Sequence, residues 1–104
     1  MTRAELNTAL APHFGWEICW GAGKGWQEVG KPWTLRDDPP DFCALTGPYF
    51  GMMVKELTDH KCELCIGGND RPSWFGFRYN ELDSIGSHDD LGQATGLAYL
   101  ALKS

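Results

Sequence analysis

The sequence predicts an α+β domain in which two β-hairpins build one four-stranded antiparallel sheet covered by three helices, in the order α-β-β-α-β-β-α. Three observations carry this expectation. Two stretches alternate apolar and polar residues around glycine-rich turns, as strands in hairpins do. Three other stretches repeat their apolar residues at three and four positions, as one face of a helix does. The chain has 104 residues, the length of a single domain spanning 1–104, and can bury ~65% of its unfolded surface around one core.

Thr2–Ala11 reads as the first helix. Thr2 and Glu5 form a capping box, Leu6, Ala9 and Leu10 make a narrow apolar stripe, and Pro12 stops the run. His13–Val29 reads as the first hairpin. Trp16, Ile18 and Trp20 alternate with Glu17 and Cys19, and Gly21–Gly25 (GAGKG) supplies the turn. That turn lacks the G-x-x-x-x-G-K-[ST] spacing and has no helix after it, so a hairpin turn is favoured over a phosphate cradle. Gly30–Pro40 reads as a loop broken by Pro32, Asp37, Asp38, Pro39 and Pro40, with Trp33 inside it.

The second helix lies within Phe42–His60, with Thr46 as N-cap and Pro48 in the first turn. Phe50, Met53, Val54 and Leu57 share one helical face, and Met52 with Met53 reads as core filling. The second hairpin, Lys61–Tyr79, is the strongest signal in the chain. Cys62, Leu64 and Ile66 face one way and Glu63 and Cys65 the other; Phe75, Phe77 and Tyr79 oppose Trp74, Gly76 and Arg78. Gly67, Gly68, Asn69, Asp70 and Pro72 provide the turn. Asn80–Ser87 reads as a loop. Ser87 is then expected to cap a third helix with Asp89 and Asp90 in its first turn, where small residues such as Ala94 and Ala98 suit close packing on a sheet.

The order of a short capped helix, a Trp-rich hairpin, the PPDF step at Pro39–Phe42, a helix ending MMVKEL, two strands and a final LGQATGLAYLAL helix resembles the phage ABA-sandwich domain family of small phage and prophage proteins. The likeness runs from about Glu5 to Leu102 and rests on packing and turn signatures. It implies an α/β sandwich and a phage accessory role, and it carries over no site residues.

The net charge of −5 argues against a nucleic-acid partner, which calls for a basic stripe. No apolar run reaches the ~20 residues of a membrane span and no signal peptide opens the chain, so a cytoplasmic setting, that of the host cell, is expected. In that setting the four cysteines are expected as reduced thiols. Cys62 and Cys65 form C-x-x-C, but along a strand this spacing sends the two sulfurs to opposite faces, so neither a metal nor another cofactor is assigned.

No Ser or Cys nucleophile has a base at a recognisable spacing, and no catalytic residue is assigned. His88 beside Asp89 and Asp90 offers the alternative of a small hydrolase-like enzyme, although those acids already have a role at a helix N-terminus. The favoured reading is a non-enzymatic binding protein. Its candidate surface is the second sheet face, with Trp74, Arg78, Glu63 and Glu17, joined by Trp33 from the loop; Trp and Arg together are typical interface anchors. The partner would be a host protein, a small ligand or another copy of the chain, and counter-defence would fit the resemblance.

Overall fold

The computed structural model describes residues 1–20, 23–68, 74–79 and 83–103, with side chains from residue 85 in the last segment. The described residues form three helices and two separate three-stranded antiparallel sheets, in the order α-β-β-β-α-β-β-β-α. The expected single four-stranded sheet is therefore corrected. Each hairpin has gained a third strand from a segment that reads as loop. The chain divides into two compact units, residues 1–41 and 42–104.

In the N-terminal unit, α1 (Arg3–Leu10) begins with the capping box read from the sequence: Thr2 Oγ1 accepts from the Glu5 N–H, and Glu5 Oε1 accepts from the Thr2 N–H. Leu6 and Leu10 are buried. Pro12 diverts the chain into a short 3-10 turn, Ala11–Phe14, that ends at Gly15 in the left-handed region (φ 79°), a conformation glycine reaches without strain. Strand β1 (Trp16–Trp20) then pairs with β2 (Lys24–Glu28), Ile18 opposite Trp26. Gly21 and Ala22 of the hairpin turn lie outside the described residues.

Strand β3 (Lys31–Arg36) occupies the segment expected to be a loop. Pro32 is tolerated because β3 is an edge strand, where one row of N–H groups has no ladder partner to lose. The register slips between Trp26 and Glu28, and the Thr34 hydroxyl repairs it, accepting from the Glu28 N–H at 2.8 Å and donating to the Lys31 carbonyl at 2.6 Å. At the end of the unit the Asp41 carboxylate receives both Arg3 Nε and Arg3 Nη2, at 3.1 and 2.7 Å, together with Asn7 Nδ2.

In the C-terminal unit, α2 (Pro48–Asp59) starts after Gly47, not Thr46: Gly47 is the extended N-cap residue, without a side-chain cap, and Pro48 fills the first helical position. The helix ends in a Schellman motif. Cys62 N–H bonds Leu57 O and Lys61 N–H bonds Thr58 O, both at 2.9 Å, with Lys61 at φ 61°.

Strands β4 (Glu63–Gly67), β5 (Trp74–Tyr79) and β6 (Asp83–His88) form the second sheet in that order, and α3 (Leu91–Lys103) packs on β5, β6 and α2. Strand β6 corrects the expected loop from Asn80 to Ser87; residues 80–82, and 69–73 of the preceding turn, lie outside the described residues. Ser87 is part of β6, and the N-cap of α3 is Asp90, whose Oδ2 accepts from the Gln93 N–H at 2.9 Å.

Phe77, Leu57, Cys62 and Ala98 form the core here, with Ile85 and Leu102 against them. Two glycines set how close the helix comes. A Cβ on Gly86 would lie 2.4 Å from Ala98 N, and one on Gly92 1.9 Å from Cys43 O. Because α3 sits over β5 and β6, it leaves β4 uncovered. Leu64 and Ile66, expected to follow Cys62 into the core, are 46% and 57% exposed.

Candidate functional site

Three of the five candidate binding residues meet on β4 and β5. Glu63 lies directly opposite Arg78 in the ladder, and Arg78 Nη2 donates to Glu63 Oε2 at 2.5 Å. Both side chains are well exposed, so the pair itself stabilises the fold by no more than about 1 kcal/mol. At the other end of the ladder Trp74 faces Gly67, and its indole covers the space where a side chain would be: a Cβ on Gly67 would lie 1.8 Å from the ring. The indole is thus held in place yet 42% exposed. Between these two contacts lies the pair Cys65 and Gly76, which adds little bulk.

The surface is therefore a shallow strip with an aromatic at one end and a neutralised charge pair at the other. Its outer border is β4, the terminal strand of the sheet, which carries neither proline nor bulge. On the reverse face of β4 the exposed Leu64 and Ile66 continue the apolar character.

Glu17 and Trp33 belong to the N-terminal unit and are not brought into this strip as parts of one sheet. Glu17 lies on β1 opposite Gln27, whose Nε2 donates to it at 3.5 Å. Trp33 projects from β3, 78% exposed. The same sheet bears a cleft of 440 Å³ that sequence reasoning did not single out. Its lining includes Cys19, Trp20, Lys24, Leu35 and Arg36. Lys24 was legible as part of a glycine-rich turn, but Arg36 joins the lining only once Lys31–Arg36 is a strand.

The two cysteines of the C-x-x-C motif are both free thiols in different settings. Cys62 sits at the end of the Schellman motif, buried, and burial pushes its thiol pKa up, which disfavours the reactive thiolate. Cys65 lies half-buried on β4, its thiol directed at Glu63 O. Among the described residues no three His, Cys, Asp or Glu side chains converge as a metal site. His88 Nδ1 lies 2.9 Å from the Asp90 N–H and 2.7 Å from Asp89 Oδ1, so this nitrogen is engaged at the helix start. Among the described residues no helix is long and apolar enough to cross a membrane.

No protein-family model matches the chain, and neither does any curated protein or solved structure.

Proposed function

We propose that the protein is a non-catalytic accessory protein of the phage type that acts in the host cytoplasm by binding an extended segment of a host protein along β4. The observation that supports this reading is the terminal strand itself. A straight edge strand offers a backbone ladder to an added strand. Leu64 and Ile66 on one face and Trp74 across from Gly67 on the other would then grip alternate side chains of that segment. The Glu63–Arg78 pair would fix register at the far end, since a polar pair accepts only a segment that keeps it hydrogen-bonded. The resemblance to phage ABA-sandwich proteins gives the accessory role, counter-defence or host takeover, its direction.

The test begins with affinity capture from host lysate by the wild-type chain and by Trp74→Ala and Arg78→Ala. A protein retained only by wild type is then purified and its affinity measured. Each variant is expected to weaken association by about 2 kcal/mol, as at interface hot spots, with little change in melting temperature. Variants that unfold but bind normally, or that bind as well as wild type, would remove this surface from the reading.

A further inference from the structure

We propose that in the free protein the open edge of β4 is taken by β4 of a second copy, in a two-fold antiparallel pair. The inference rests on the reading of β4 as a strand-receiving edge, and it names what occupies that edge before a host protein arrives.

Two-fold symmetry restricts the register. When two identical strands pair antiparallel in one continuous sheet, the axis runs through the sheet, so only residues of the same face come opposite each other. The register centred on Cys65 pairs the whole of Glu63–Gly67: Cys65 opposite Cys65, Leu64 opposite Ile66 and Glu63 opposite Gly67 of the second copy. The neighbouring registers are worse. Centring on Glu63 sets two carboxylates directly opposite each other. Centring on Leu64 sets Ile66 against the buried Cys62, and centring on Ile66 sets Leu64 against Gly68, which has no side chain to pack.

Both faces of the strand fit themselves in the Cys65 register. On one face Leu64 and Ile66 are exposed, because α3 lies over β5 and β6. Pairing sets each against the other's counterpart, and four aliphatic side chains leave water together. The opposite face has unlike ends, the Trp74 indole over Gly67 at one and the Glu63–Arg78 pair at the other. The two-fold turn brings each indole beside the ion pair of the other copy, in the row Arg78, Glu63, Gly67, Trp74 across four strands. At the centre stand Cys65 and its ladder partner Gly76, both small, so no bulky side chain holds the edges apart.

Charge permits the seam. The chain carries −5 overall, yet Glu63 is the only charged residue of β4 and Arg78 pairs with it. Two such strands meet without net repulsion. Five residues a side is far below the roughly 20–30 per partner of a stable complex, so the dimer is reversible and a host segment that fills the same edge displaces it.

The test uses the full chain with no host protein present. Sedimentation velocity is run from dilute solution up to about 1 mM chain, with amide hydrogen exchange at both limits. A monomer is expected at the dilute limit and a reversible dimer at the other, with the β4 amides, fast in the monomer, slowing as the dimer forms. Bismaleimidoethane, which joins two thiols without oxidation, reads the register. In Cys19→Ser it should link Cys65 to Cys65 of the second copy, since Cys43 and Cys62 are buried. Cys65→Asp, which sets two carboxylates together on the axis, should weaken the dimer at least tenfold, whereas Cys65→Ser should not. Ile66→Lys, at an exposed position, should weaken it likewise and keeps the result readable if Cys65→Asp does not fold. A chain that stays monomeric throughout would overturn the proposal. So would a dimer that gives no Cys65 link, leaves β4 exchange unchanged or ignores these substitutions, the pattern of pairing through β1 instead. A monomer that still retains a host protein through Trp74 and Arg78 would overturn this inference alone; a dimer with the expected features that retains none would overturn the host reading alone.

Discussion

Trp74 occupies its position because residue 67 has no side chain. The indole lies across the strand over Gly67, which restores the apolar contact that a glycine in a strand otherwise lacks. Gly67→Ala would put a methyl group 1.8 Å from the ring, and the ring, being partly exposed, would move rather than the backbone. The expected outcome is a modest loss of stability, about 1 kcal/mol, with a large shift of the Trp74 indole N–H signal. Partner binding should fall as it does for Trp74→Ala. An unmoved indole signal would mean that the ring is not held on Gly67.

At the scale of elements, the ends of α2 and the contact between α2 and α3 are the testable features. Lys61 takes the left-handed position of the Schellman motif, which costs a side-chain-bearing residue roughly 1–2 kcal/mol. Leu57 and Cys62, the two residues whose hydrophobic contact commonly accompanies this motif, both belong to the core cluster, so the geometry is held by packing. Lys61→Gly should therefore stabilise the protein by about 1 kcal/mol, measured by denaturant unfolding. A loss of stability would show that the lysine side chain contributes more than its backbone costs.

Between α2 and α3, Lys103 Nζ donates to Glu56 Oε1. The Lys103 hydrogen bond, with its charge, holds the Glu56 carboxyl below its ordinary value of 4.5, and the Glu56 hydrogen bond raises Lys103 above 10.5. A lowered carboxyl pKa gives stability that is full above 4.5 and is lost as pH falls through the folded value. A raised ammonium pKa gives stability that is full below 10.5 and is lost as pH rises through the folded value. The melting-temperature gap between wild type and Lys103→Met should be widest between those limits and close toward acid. A gap that persists unchanged in acid would assign it to the Lys103 stem, whose ammonium also sits 5.5 Å from the centre of the Tyr99 ring.

At the scale of the molecule, each unit has a central strand flanked on both sides, β2 in one and β5 in the other, and β5 also carries the helix α3. Local opening starts where few apolar contacts hold the backbone. Amide hydrogen exchange should therefore be slowest in β5 and α3 and faster in β4, whose side chains are exposed or half-buried along its whole length. Exchange in β4 as slow as in β5 would show that this edge is already covered, and would weaken the proposal that it receives a partner strand.

The sequence by itself determined what depends on neighbours a few residues apart. The Thr2–Glu5 box, the Trp16–Trp20 alternation, the apolar face of α2 and the pairing of β4 with β5 are all set by local spacing. It could not show β3 or β6. Lys31–Arg36 contains a proline, and Asp83–His88 offers only Ile85 as a large apolar residue, so neither has a strand's own signal. Both become strands because an adjacent strand presents an open ladder: the Thr34 hydroxyl completes one, and the bulge with Gly86 at φ 70° lets the other pass beneath α3. The same dependence governs the sites. Trp74, Arg78 and Glu63 were legible because they share one hairpin. The presence of Lys24 and Arg36 in one cleft lining, and the exposure of Leu64 and Ile66, were decided only in three dimensions. The first needs a third strand, and the second needs a helix that covers two strands of three.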